Sequence, residues 1–123
     1  MTVLLSIKPE FAVEIFNRRK KFEYRRIIFK RPVKRIIVYA SSPTKMVIGE
    51  FSINGILFED INSLWSKTKR RSGISRKKFK SYFSNKEKGY AIKVGKTVRY
   101  KRPSSLEDLY GIRPPQSFVY ISD

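Results

Sequence analysis

The sequence predicts an α+β fold: a small mixed or antiparallel β-barrel, closed or half-closed, with flanking helices. Three observations predict it. Short runs of β-branched and aromatic residues recur along the 123 residues. Helical patterns are inserted between those runs rather than alternating regularly with them. Hydrophobic residues make up 41% of the chain and aromatic residues 14%, ample for the packed interior of one domain over residues 1–123.

In chain order, residues 2–7 are an apolar run of Val, Leu and Ile, most simply a buried strand. Pro9 suits the first position of a helix and Glu10 its positive end. Phe11, Ala12, Ile15 and Phe16 then recur at helical spacing, so residues 9–17 read as an amphipathic helix. Residues 18–29 read as a strand that Pro32 ends, since proline cannot donate to a ladder. Residues 35–41 are the clearest buried strand, and Ser41-Ser42-Pro43 is a turn. β character resumes at 46–53, with a turn expected at Asn54-Gly55 and residues 56–58 pairing back or extending the strand. Ile61, Leu64 and Trp65 share a helix face, and Gly73 stops that helix. Ser75 is the expected N-cap of another, with Phe79, Tyr82 and Phe83 turned inward. Residues 89–101 are β again, with a turn expected near Gly95-Lys96. Ser104 or Ser105 caps a short helix, Pro114-Pro115 is a rigid turn, and residues 117–121 form a closing strand.

Charge narrows the partners. Lys and Arg total 28 against 10 Asp and Glu, a net +18. Such an excess repels itself in a compact fold and points to an anionic partner. RNA or a nucleotide comes first and DNA second, because phosphate neutralisation supplies much of the affinity in such complexes. An acidic protein is a third partner class. No long basic amphipathic helix is evident, so no membrane role is expected. The chain has neither Cys nor His. That removes disulfides, thiolate nucleophiles, the commonest general base and the commonest metal ligand. No metal or cofactor is expected, and catalysis would fall to Lys, Glu, Asp, Tyr, Ser or Thr. The apolar start is cut off by Lys8-Pro9, far short of a signal peptide or a membrane span, so the expected location is the cytoplasm.

The stretch 18–29 lodges Glu23 among Lys20, Lys21, Arg25 and Arg26. As a strand it would put Lys21, Glu23 and Arg25 on one side and Phe22, Tyr24 and Arg26 on the other. One reading is an edge strand facing water, whose ion pairs contribute about 0–1 kcal/mol each. The other is the wall of a cleft. Phosphates take Lys or Arg, and unstacked bases lie on aromatic faces. The candidates for nucleic-acid contact are therefore Lys20, Lys21, Glu23, Tyr24, Arg25 and Arg26, with Lys8 and Lys45 beside them. Ser41 and Ser42 either offer hydroxyls and amides to a phosphate or base, or simply form their turn. Tyr39 is read as core or barrel-rim packing rather than as a stacking plane. Glu50, after Gly49, either serves in the cleft as a base reader or general base, or pairs with a lysine across the sheet. Lys69, Arg70, Arg71, Arg76, Lys77 and Lys80 make a second basic patch, a binding surface or a solvated helix face.

Six strings stand in order along nearly the whole chain: Ser6-Ile7-Lys8-Pro9; Arg18-Arg19-Lys20-Lys21-Phe22-Glu23-Tyr24-Arg25; Tyr39-Ala40-Ser41-Ser42-Pro43; Val47-Ile48-Gly49-Glu50-Phe51; Gly89-Tyr90-Ala91-Ile92; and Pro114-Pro115-Gln116-Ser117-Phe118. In them the sequence resembles the ASCH domain family, within the PUA-like folds, with Arg18 standing where that family usually has glycine. The resemblance implies a β-barrel surrounded by helices, with Lys20, Glu23 and Arg25 lining a cleft. It also implies RNA-linked function. One bacterial branch removes the acetyl group from acetylated cytidine with a Lys, a Thr and a Glu. Its Lys falls on Lys20 and its Thr on Glu23, so that branch's nucleophile is missing here. A nuclease branch uses Lys, Tyr and Ser. The expectation is an RNA-binding module in RNA metabolism or transcription and translation control. The alternative is a hydrolase of a modified nucleoside or of RNA, with Lys20 and Glu23 as the reacting pair and Glu50 assisting.

Overall fold

In the computed structural model, which describes residues 1–122, the opening apolar run becomes β1 (Thr2–Ile7) and the periodic segment after it α1 (Pro9–Phe16). Ala12 and Ile15 are buried on one face of α1, as their spacing requires. The helix ends in a Schellman motif: the Arg18 N–H donates to the Ile15 carbonyl at 3.1 Å and the Arg19 N–H to the Glu14 carbonyl at 3.0 Å. The motif holds Arg18 at φ 64°, the left-handed region where glycine is unstrained and a residue with a Cβ is not. The Arg18 side chain is exposed, so replacing it costs no packing. Arg18→Gly is expected to raise stability by about 0.5–1 kcal/mol, the left-handed penalty less the extra chain entropy of glycine. A urea midpoint that stays put or falls would contradict this.

β2 (Phe22–Arg25) is only four residues long and stops at Arg25, well before Pro32, so the strand expected over 18–29 is shorter than its pattern suggested. β3 (Arg35–Ala40) matches its apolar run. β4 (Met46–Asp60) and β5 (Lys88–Ser104) are unbroken strands of 15 and 17 residues, each passing through a glycine where a turn was expected. Gly55 takes φ 131° inside β4, and the β4–β5 register shifts at Val47/Gly49, Phe51/Ile53 and Ile53/Ile56. Bulges thus bend the ribbon without reversing it.

The helices follow their caps. α2 (Ile61–Thr68) starts at Asp60, whose carboxylate accepts the Ser63 N–H at 3.0 Å, and runs into a 3-10 turn over Lys69–Arg71. Ser75 caps α3 (Arg76–Tyr82) and Ser105 caps α4 (Leu106–Tyr110), each hydroxyl accepting an N–H at 3.1 Å. β6 (Phe118–Ile121) closes the described chain.

One six-stranded sheet results, in the order β2-β5-β4-β3-β1-β6. Only the β1–β3 pair is parallel. The sheet is open, with β2 and β6 as its edges, so the fold is α+β as expected but the barrel is not closed. Alternation along β1 sends Val3, Leu5 and Ile7 into one core cluster with Ile15, Val38 and Phe51. Leu4 enters a second, with Ile37, Tyr39 and Leu106. A third cluster, Tyr24, Leu64, Phe79, Phe83 and Ala91, clamps α2 and α3 onto β2 and β5. Among the described residues no helix is long and apolar enough to cross a membrane.

Candidate nucleic-acid interface

A cavity of about 1280 Å³ opens where the end of β1, the start of α1, β2, α3 and residues 114–117 converge. β2 builds its inner wall. Although an edge strand, β2 is covered on both faces: Glu23 is 5% exposed, Tyr24 5% and Arg25 8%. The reading of a water-facing edge strand is therefore overturned, because α3 covers one face and residues 114–117 approach the other.

Tyr24 points away from Glu23 and Arg25, as strand alternation requires, into the third cluster. Its ring lies edge-on to Phe79 at 4.9 Å and to Phe83 at 6.1 Å. Its hydroxyl lies 2.7 Å from Thr68 Oγ1, whose own proton goes to the Leu64 carbonyl at 2.7 Å, so Tyr24 is the donor. Burial pushes the phenol up to about 12.

Lys20, just before β2, is among the most deeply buried side chains, at 1% exposure. Gly73 makes the space for it: a Cβ there would lie 2.7 Å from Lys20 Cγ and 3.0 Å from its Cα. Lys20 Nζ donates to the Ser72 carbonyl at 2.7 Å and sits 4.6 Å and 5.2 Å from the ring centroids of Tyr24 and Phe11. Burial lowers its pKa below the ordinary lysine value, with Glu23 opposing the shift. An amine so placed gives up its proton more readily than a surface lysine and suits general-base work.

Arg25 ties the cavity together. Nη1 donates to Glu23 Oε2 at 3.1 Å and to the Ser6 carbonyl at 3.3 Å; Nη2 donates to Ser117 Oγ at 2.7 Å and the Ser117 carbonyl at 3.3 Å. One guanidinium thus links edge strand β2 to the end of β1 and to the residue before β6, bridging with side-chain bonds the two edges that the ladder leaves open. Ser6 reinforces the junction, its hydroxyl donating to the Pro115 carbonyl at 2.7 Å.

Around this buried floor stands a cationic rim. Lys8, Arg26, Lys45, Lys78 and Lys86 are exposed and line the opening. Lys78 Nζ pairs with Glu10 at 3.1 Å, and the Arg26 guanidinium lies 4.7 Å from the Tyr82 ring centroid. Ser41 and Ser42 also line the cavity, beside Tyr39, which is 4% exposed and packs in the second core cluster. Nine of the residues named from sequence are therefore brought together: Lys8, Lys20, Glu23, Tyr24, Arg25, Arg26, Ser41, Ser42 and Lys45.

Others are not. Lys21 precedes β2 and is absent from the lining; its N–H donates to the Arg71 carbonyl at 2.8 Å. Glu50 lies outside the cavity on β4, where Arg35 grips it at 2.7 and 3.0 Å and the Tyr100 hydroxyl donates at 2.7 Å. Arg35 holds its carboxyl below the ordinary value. The cross-sheet pair is its role, with arginine as the partner, and it cannot assist Lys20. Lys69, Arg70, Arg71, Arg76, Lys77 and Lys80 are exposed and none lines the cavity. Sequence reasoning missed Phe11 and Tyr82, which read as inward helix positions, and grouped Lys78 with the second basic patch rather than with the cleft. It also missed the site role of Ser117, although the Pro-Pro-Gln-Ser-Phe string already marked that segment. Among the described residues no group of three or more acidic side chains could hold a metal ion.

Comparison with known proteins places this geometry. The ASCH domain model matches residues 5–98. An ASCH domain-containing ribonuclease of Zymomonas mobilis is 35% identical over 123 residues, covering 96% of this chain and 82% of that protein. The large ribosomal subunit protein uL22 of Ureaplasma parvum is 31% identical over 125 residues, covering 98% of this chain but 39% of that protein, so the chain spans about two-fifths of that relative's length. The crystal structure of ASCH from Zymomonas mobilis superimposes with a TM-score of 0.91 at 32% identity, over 98% of this chain and 87% of that one. The converging floor, the cationic rim and the matched fold lead to one assignment: this chain belongs to the ASCH domain family.

Proposed function

We propose that the cavity binds single-stranded RNA, with phosphates on the rim and one nucleoside entering toward the floor. The observation that carries this reading is the layout of charge: exposed Lys8, Arg26, Lys45, Lys78 and Lys86 ring a recess whose walls carry Phe11, Tyr82 and buried polar groups. Rim cations neutralise phosphates, and a splayed base finds rings and hydrogen-bonding groups inside. A cavity of about 1280 Å³ has room for a nucleotide and its neighbour.

A second reading, hydrolysis of the bound RNA, is favoured by the buried, easily deprotonated Lys20 amine and by the ribonuclease name of a relative 35% identical to this chain. In that reading the deprotonated Lys20 amine takes the proton of the attacking 2′-hydroxyl as its oxygen bonds to phosphorus, the bond from phosphorus to the 5′-oxygen breaks, and the departing 5′-oxygen takes a proton from water.

One experiment tests both. A labelled single-stranded RNA is titrated by filter binding at several salt concentrations, and the same mixtures are resolved on a denaturing gel. The dissociation constant should rise on the order of tenfold or more between 50 and 200 mM salt. Flat salt dependence, or no binding, overturns the binding reading. Cleavage, if it is this chain's activity, should rise with pH and level off below the ordinary lysine range, because folded Lys20 loses its proton there. It should vanish in Lys20→Met. Cleavage that survives that change overturns the role given to Lys20.

A further inference from the structure

We infer that Glu23 selects the base seated in the cavity, favouring bases that present an amino group over uracil; this rests on the RNA-binding reading above. Glu23 is the one carboxylate of the inner wall, 5% exposed, whereas Glu10 stands exposed at the rim and is paired with Lys78. Only its Oε2 is engaged, by Arg25 at 3.1 Å. Among the described residues no buried side-chain oxygen lacks a hydrogen-bond partner, yet Oε1 accepts no bond. Oε1 therefore reaches the open space of the cavity that Glu23 lines.

An open carboxylate oxygen deep in a recess sorts what enters. It repels phosphate, which belongs with the rim cations. It accepts from an N–H, so it suits the amino groups of cytosine, adenine or guanine. The corresponding edge of uracil carries carbonyl oxygens on both sides of its single N–H, and these would face the carboxylate unfavourably. Arg25 fixes the orientation. Its guanidinium is held by Ser6 and Ser117 as well as by Glu23, so the carboxylate cannot swing to suit another edge. A buried acceptor left unmatched penalises the wrong base more than a matched one favours the right one.

The test compares pyrimidines of equal size. Filter binding of the wild-type chain to oligocytidylate and oligouridylate of one length, at one salt concentration, should show the cytidine oligomer bound on the order of tenfold more tightly. An oligomer of N4,N4-dimethylcytidine, which has no N–H to donate, should bind like the uridine oligomer. Glu23→Gln, whose oxygen can accept from Arg25 while its NH2, a donor, turns to the cavity, should abolish or reverse the cytidine preference. Equal wild-type affinity for cytidine and uridine oligomers, or full affinity for the dimethylated one, overturns the selection and leaves RNA binding standing. Failure to bind either oligomer overturns both.

Discussion

Arg25→Leu should remove about 3–5 kcal/mol of folding stability, because it strips the partner from a buried carboxylate. The ion pair is 10% exposed on the arginine side and 7% on the glutamate side, so water reaching Glu23 through the cavity replaces only part of the lost charge. The change also orphans Ser117 Oγ and removes a donor from the Ser6 and Ser117 carbonyls. A domain of this size has only about 5–15 kcal/mol in total, so the urea midpoint should fall by about 1 M or more. Arg25→Lys keeps a charge but cannot reach β1 and residue 117 together, and should fall between. The cycle with Glu23→Leu separates the pair from the rest: the double variant should lose clearly less than the sum of the singles. A loss under about 1 kcal/mol for Arg25→Leu would mean the guanidinium does not hold the sheet edges together.

Gly73→Ala acts on the site without belonging to the wall of the main cavity. The new methyl would overlap Lys20 Cβ and sit 2.7 Å from Lys20 Cγ, on a residue held at φ 62°. Overpacking costs about 1–3 kcal/mol and the left-handed backbone about 1–2 more, so the expected loss is about 2–4 kcal/mol once partial relaxation is allowed. Relief comes most easily by driving Lys20 out of its bed between Phe11, Tyr24 and the Ser72 carbonyl. The surviving folded protein should then bind RNA more weakly and lose any activity that depends on the buried amine. Denaturant melts and RNA titrations of the same preparation check both. A variant as stable as the parent, with unchanged affinity, would contradict the account of Lys20's burial.

How far the sequence showed all this depended on the range of the contacts involved. Local signals served well: the Pro9 helix start, the Ser75 and Ser105 caps and the apolar runs of β1 and β3 are written in neighbouring residues. Asn54-Gly55 and Gly95-Lys96 misled, because a glycine permits a turn and a bulge alike. Only the long β4–β5 pairing decides for the bulge. The burial of β2 was invisible for a similar reason. Four residues rich in charge read as either a wet edge or a cleft wall until α3 and residue 117, 92 positions away from Arg25, are folded against them. Glu50 stood open between a cleft acid and a cross-sheet pair with a lysine because the strand order was unknown, and Arg35, fifteen positions earlier, turns out to be the partner. The family strings pointed to Lys20, Glu23 and Arg25 as one segment. Which atoms they offer a ligand came only from the fold.

RNA should enter the β2 cavity rather than lie along the helical lysines and arginines. Backbone amide NMR during titration with a short cytidine-rich single strand reads this directly. Shifts should concentrate at residues 6–11, 20–27, 41–45 and 114–117, with those at 69–77 small. Shifts confined to 69–77, with the amides around Lys20, Glu23 and Arg25 unmoved, would place the RNA on the second patch and contradict the account.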